Sequence, residues 1–266
     1  MKSFVIVLII SWLSNGSLFA QTKKATIQKL DSLLQLVDTL PLEEKGAVYF
    51  ELLRVEFSVT DRFEEVVQNV FEYAETNGID SLKALAAQRS ALRLINKGEH
   101  ALARERLQIS EDYFIQFNSE RYKRLLVTTL VLKGYNLNRQ NYVTEALKVF
   151  LQALPIAKEI KDLKRINNLH NRIINLYVAQ EDYTKAFHYV DLITKSCAGR
   201  EKKKCPFYLI SQQTKANIYL AKNELDSARQ VINDYFPLLP RQSMNSMLMN
   251  AYTAMGRLKR KEQQWE

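Results

Sequence analysis

Glycine and proline are scarce in this sequence, seven and five among 266 residues. So few helix breakers in so long a chain predict a nearly all-α protein with ample core. The glycines are also too dispersed to form a loop that cradles phosphate. The three histidines, His100, His170 and His188, fall on different predicted helices or turns, and neither an HExxH nor a GxSxG motif is present. Histidines so placed read as packing or surface residues. Adjacent acids such as Glu64-Glu65 and Glu111-Asp112 point in different directions around a helix and read as solvated faces. Enzymatic activity, a cofactor and a metal site are therefore not expected.

Long apolar runs are missing as well. The stretch Phe4 to Leu13 follows Met1-Lys2 and precedes Ser14-Asn15-Gly16-Ser17, Leu18-Phe19-Ala20 and Gln21. This is the layout of a secretory signal peptide, residues 1–20, with the cut between Ala20 and Gln21. Leu18 is larger than the residue usual three places before a cut, so a neighbouring site is the alternative. No cysteine near the cut points to a lipid anchor. The run is shorter than the roughly 20 residues of a membrane span, which leaves an uncleaved anchor as the lesser reading. The mature chain is expected to be exported, periplasmic or extracellular, without a stable membrane anchor.

Lysine and arginine number 38 against 29 acids, a net charge of +9. These charges are scattered except in Arg200-Glu201-Lys202-Lys203-Lys204 and Arg257-Leu258-Lys259-Arg260-Lys261, which read as solvated loops or faces. Nucleic-acid binding through them would conflict with export, so no such partner is expected. Two cysteines, Cys197 and Cys205, flank the first basic run. In an oxidising compartment the favoured reading is a disulfide that staples one helix end to the next helix start. Two free buried thiols are the alternative. Zinc needs about four ligands, and only His188 is near in sequence.

What is present is a rhythm of alanines. Ala103, Ala146, Ala186 and Ala228 are separated by 43, 40 and 42 residues. Each follows a short polar break: Lys97-Gly98-Glu99-His100, Gln140-Asn141-Tyr142, Glu181-Asp182-Tyr183 and Asn223-Glu224-Leu225. Apolar residues on either side recur at three- and four-residue steps, as in Leu169, Ile173, Leu176 and Tyr177, or Ala146, Val149, Phe150, Ala153 and Leu154. A period in this range predicts stacked helical hairpins, an all-α solenoid in which each repeat buries only its neighbours. Ala91, Gly134 and Ala216 in the first helices would let the partner helix approach closely. Pro155 should kink its helix or end it near Leu154, whereas Pro206 suits a first helical turn. Residues 21–83 hold N-terminal helices: Thr22 to Leu40, with Ile27, Leu30, Leu33, Leu34 and Val37 on one side, then one from Pro41 to about Val59. Residues 84–241 hold the repeats. Residues 242–266 form a capping helix carrying Met244, Met247, Leu248, Ala251, Tyr252, Met255 and Leu258, with Lys259 to Glu266 as its polar outer face.

The alanine pattern resembles the tetratricopeptide repeat family, as an exported bacterial member. That family holds each helix pair together with a small residue in the first helix, an aromatic three places later, another at the start of the second helix, and an alanine three places beyond it. Here the small positions are Ala91, Gly134, Ile174 and Ala216, and the first aromatic positions are Leu94, Leu137, Tyr177 and Tyr219. The second aromatic positions are His100, Val143, Tyr183 and Leu225. A degenerate unit runs from about Gly46 to Asp80, with Phe63 at the second aromatic position and Val66 in place of the alanine. The period exceeds the family's usual 34 residues, which helices about one turn longer would absorb.

The resemblance implies a protein-binding groove lined by the first helices. The residues carried over to it are Tyr135, Asn138, Asn168, Asn171, Asn175, Gln213 and Asn217, with Val178, Ile210, Leu220, Thr128 and Val131 beside them. Asparagine offers both donor and acceptor, which suits a peptide backbone. The family's lysine clamp is replaced by Asn171 and Gln213, with Arg172 as the nearest substitute cation; the competing view is that the amides cap turns or face water. The expected function is a non-enzymatic exported scaffold for a peptide or protein partner. The alternative is the sensory module of a bacterial signalling system, working with a histidine kinase or helix-turn-helix regulator.

Overall fold

A computed structural model describes residues 25–54, 62–199, 201, 205–239 and 246–263. The expected signal peptide, Met244 and most of the run Arg200 to Lys204 lie outside these residues. Among the described residues every regular element is an α-helix, apart from one 3-10 turn at Phe236–Leu238. None of these helices is long and apolar enough to cross a membrane. The chain divides into two compact units, residues 1–122 and 123–266.

The first unit holds α1 (25–39), α2 (Leu42–Leu52), α3 (Phe63–Thr76), α4 (Asp80–Lys97) and α5 (His100–Phe114). Its core joins Leu30 and Val37 of α1 to Leu52 and Leu53, and to Phe63, Val66, Val67 and Val70 of α3. Val66, in the slot of the missing alanine, is fully buried, whereas Ile27 is largely exposed. The second helix of this region was expected to reach Val59, but α2 ends at Leu52. A tertiary contact accounts for the stop: Arg89 of α4 donates from Nε to the Leu53 carbonyl at 3.1 Å, capping one of the acceptors that a helix end leaves over.

The second unit holds most of α6 (Glu120–Arg139), then α7 (Val143–Glu159), α8 (Leu163–Ala179), α9 (Tyr183–Lys195), α10 (Pro206–Ala221), α11 (Leu225–Tyr235) and α12 (Ser246–Gln263). The polar breaks of the sequence are helix C-caps. Gly98, Asn141, Glu181 and Asn223, each five residues before a repeat alanine, have positive φ of 83°, 65°, 58° and 61°. At each one the next amide donates to the carbonyl five residues back: Glu99 to Leu94, Tyr142 to Leu137, Asp182 to Tyr177 and Glu224 to Tyr219, at 2.9 to 3.0 Å. This 6→1 bond turns the chain sharply and satisfies a helix-end acceptor. The second helix then begins with His100, Val143, Tyr183 or Leu225, and its alanine is fully buried in every case.

Close approach within a hairpin is clearest at Gly134, where an added Cβ would stand 2.4 Å from Phe150 Cε1. Ile174 occupies the equivalent place in the next hairpin and is fully buried, so that repeat accepts a larger residue. Pro155 does not end α7, which continues to Glu159. The carbonyl deprived of its donor is that of Leu151, on the exposed side of the helix, where water can replace the lost bond. Between α9 and α10, Cys197 and Cys205 form a buried disulfide with Cα atoms 6.1 Å apart. Pro206 is the first residue of α10, where its missing N–H costs nothing. The fold is an all-α repeat of antiparallel, tetratricopeptide-like hairpins.

Candidate functional site

The first helices of the second unit carry the polar residues that the hairpin packing does not consume. The Asp162 carboxylate accepts from the Arg165 N–H at the start of α8, which fixes where that helix begins. From there α8 buries Leu169, Ile173, Ile174, Leu176 and Tyr177 and turns Asn171, Asn175 and Val178 toward α10. On α10 the same phase buries Leu209, Ala216 and Leu220 and leaves Ile210, Gln213, Thr214 and Asn217 on the matching side. α12 packs on α10 and α11 through Ala251, Ala254 and Leu258. It offers Met247, Asn250, Thr253 and Arg257 to the same space. Together these residues line a cleft of about 470 Å³.

Five side-chain amides line the cleft: Asn171, Asn175, Gln213, Asn217 and Asn250. The Thr214 hydroxyl, which donates to the Ile210 carbonyl at 2.8 Å, also reaches Asn171 Oδ1 at 3.2 Å. The hydroxyl carries one proton and so donates to one of these two oxygens at a time. Among the described residues, Arg257 is the one charged residue lining the cleft. Such a surface can hydrogen-bond in both directions. Among the described residues its lining holds no His, Cys, Asp, Glu or Lys, and no cluster of His, Cys, Asp and Glu could hold a metal.

Four of the eight expected groove residues, Asn171, Asn175, Gln213 and Asn217, line this cleft. Three others form an adjoining group: Arg172 Nε donates to Asn168 Oδ1 at 2.9 Å, and the guanidinium lies 5.5 Å from the Tyr135 ring centroid. It is also 5.9 Å from the Phe150 ring. Burial pushes the Arg172 pKa down from its ordinary value, with Tyr135 acting the other way. Arg172 is not among the residues that line the cleft, whereas Arg257 is. Asn138 is exposed near the end of α6 and is not among the cleft residues.

Asn250, Thr253 and Arg257 were not expected here, yet the period does reach them. Thr253 and Arg257 stand 40 residues after Gln213 and Asn217. That register makes α12 a fifth first helix with Gly256 at the small position. The alanine rhythm does not mark these residues, because it runs through the second helices and they lie on a first helix. Lys259 and Arg260 of the expected polar face are exposed, but so are Tyr252 and Met255 of the expected apolar stripe.

His170 is buried on α8 away from the cleft, 4% exposed, with its ring 5.4 Å from that of Tyr189. Neither ring nitrogen has a hydrogen-bond partner. Burial, with Lys158 and His188 adding to it, lowers its pKa to about 4. The first unit has a smaller cleft of about 250 Å³ between α3, α4 and α5. Its arginines are engaged within the unit: Arg89 on the Leu53 carbonyl, Arg93 with Glu64, and Arg106 over the Phe71 ring at 3.4 Å.

No family model and no curated protein matches this sequence. Among solved structures, the chain is similar to BtubC (BKLC) from P. vanneervenii, with a TM-score of 0.56 and 13% identity. That match covers 84% of this chain and 87% of the other. A second similar structure is a putative kinesin light chain with nearly identical TPR-like repeats from P. anserina, at a TM-score of 0.49 and 17% identity. It covers 67% of this chain and 89% of that one. At these identities the likeness to BtubC concerns the fold, a tetratricopeptide-like helical repeat.

Proposed function

We propose that this protein is an exported, non-enzymatic scaffold that takes an extended segment of a protein partner into the cleft between α8, α10 and α12. One observation carries the proposal: five amides from three successive first helices converge on one open cleft. An extended peptide presents N–H and C=O groups along its length, and an amide side chain can answer either. Packed helices lie about 8–10 Å apart and an extended chain advances about 3.3 Å per residue. Amides from successive helices would therefore meet the peptide backbone about every third residue. Arg257 at the α12 side favours a segment with a carboxylate at that end. Among the described residues the lining carries a single cation, little charge for a phosphate backbone, which favours a protein segment over a nucleic acid. Export is supported by the apolar leader and by the Cys197–Cys205 disulfide, a bond that persists in oxidising compartments.

The test is fluorescence anisotropy of the purified protein against a library of labelled peptides, followed by the Asn171→Ala/Asn175→Ala/Asn217→Ala variant. Each hydrogen bond contributes about 0.5–1.5 kcal/mol, so the triple change should weaken the best peptide by roughly 10- to 1,000-fold. Thermal stability should hardly change, because these side chains are partly or fully exposed. Equal affinity of both proteins for every peptide bound would overturn the assignment.

A further inference from the structure

The cleft of the first unit, about 250 Å³ between α3, α4 and α5, is built from charges rather than amides: three arginines and three glutamates line it. Arg89, Arg93 and Arg106 are half-buried, whereas Glu65 and Glu99 are exposed. The positive groups therefore lie deeper and the negative groups lie nearer solvent. Val67, Leu94 and Leu102 add an apolar wall, where Leu102 is 37% exposed. Two of the arginines are engaged only in part. Arg89 gives Nε to the Leu53 carbonyl, and neither of its terminal nitrogens has a partner among the described residues. Arg106 lies over the Phe71 ring, and its Nη1 is buried without a hydrogen-bond partner. Burial lowers the pKa of both. Glu105, Glu75 and Glu72 act against this at Arg106, but none of the three lines the cleft. A buried cation with unmade hydrogen bonds costs stability, and an anion in the cleft would supply acceptors.

We propose that this cleft binds a free α-amino acid with an apolar side chain. The ligand carboxylate takes the open donors of Arg89 and Arg106, whose planar guanidinium groups match it. The ammonium turns outward and meets Glu65 and Glu99, and the side chain lies on Val67, Leu94 and Leu102. A plain carboxylate fits less well, because the glutamates would repel it. A plain cation would be repelled by the arginines in the same way. The ligand must therefore carry both signs close together, as the lining itself does where Arg93 Nη1 stands 3.9 Å from Glu64 Oε2. Along a peptide the terminal ammonium and carboxylate belong to opposite ends, whereas a free amino acid holds both on one carbon. The volume agrees, being smaller than the roughly 300–1,000 Å³ of sites for drug-sized ligands. This site is separate from the amide-lined cleft of the second unit, so either assignment can fail without the other.

Isothermal titration calorimetry of the purified full chain with L-leucine tests this, beside N-acetyl-L-leucine and L-leucine amide. Leucine should bind with a Kd on the order of 0.1–1 mM, the range open to a ligand of so few atoms. Removing either charge, by acetylation or by amidation, should weaken binding about tenfold or more. Arg106→Met, whose side chain can still cover Phe71, should weaken leucine binding by about the same factor while helical circular dichroism is unchanged. Glu65→Gln/Glu99→Gln, at two exposed positions, should bring leucine and N-acetyl-leucine to equal affinity. No heat of binding up to about 10 mM leucine overturns the proposal. Wild-type protein that binds N-acetyl-leucine or leucine amide as tightly as leucine overturns it too, since one charge would then have no role. Leucine affinity indifferent to Arg106→Met overturns it as well.

Discussion

Replacing Gly134 with alanine tests the hairpin packing directly, because two opposing effects of known size meet at one methyl group. In a helix, alanine is better than glycine by about 1 kcal/mol, so on propensity alone the change should stabilise. The added Cβ, however, would stand 2.4, 2.7 and 2.9 Å from Cε1, Cδ1 and Cζ of Phe150. Carbon atoms prefer about 3.5–4.0 Å, so either the ring or α7 must move by about an ångström. The ring has little freedom to do so, being 2% exposed and faced by Arg172. Overpacking of this kind costs about 1–3 kcal/mol, occasionally more, and the clash wins. We expect a net loss of about 1–2 kcal/mol, or a fall in Tm of about 2–8 °C for a chain of this size. Thermal unfolding followed by circular dichroism, in the transition of residues 123–266, measures it. In the Phe150→Leu background the same glycine change should become neutral or stabilising, which a double-mutant cycle detects. A higher Tm for Gly134→Ala in the wild-type background would refute the packing argument.

The remaining expectations use the same transition. Gly256→Ala should raise stability by about 0.5–1 kcal/mol, since propensity acts there without a clash; a lower Tm would contradict the space around that position. His170, with a folded pKa of about 4 against 6.5 when unfolded, favours its neutral form in the fold. Its contribution is present above pH 6.5 and is lost as pH falls from there through 4, by about 3 kcal/mol. Urea midpoints should therefore drop more steeply on acidification for the wild type than for His170→Leu, and parallel curves would count against burial as the cause. Reducing the Cys197–Cys205 bond should cost about 2–3 kcal/mol for so short a loop and lower Tm by about 5–10 °C. An unchanged Tm after complete reduction would show that the helix ends hold without it.

Much of this architecture was legible in the residues because each rule involved acts within a few positions. The alanines Ala103, Ala146, Ala186 and Ala228, and the polar breaks before them, report a helix pair and the turn joining it, both local events. The first-helix amides were legible for the same reason, since one helical period decides which side chains share a face. Where the reading went astray, a distant partner intervened. α2 stops at Leu52, where Arg89 takes the carbonyl of the next residue, Leu53. α7 runs through Pro155 because the orphaned carbonyl faces water.

By itself, then, the sequence determined the fold class, the hairpin boundaries and the phase of each first helix. Periodicity and turn chemistry are short-range and leave their mark in adjacent residues. The tertiary structure decided which of those faces meet. It set Asn171 beside Thr214, brought Asn250 and Arg257 into a cleft with Asn175 and Asn217, and placed the Tyr252 ring edge-on to Phe236. Such juxtapositions join residues some forty apart along the chain, and only the stacking of whole helices fixes their distance.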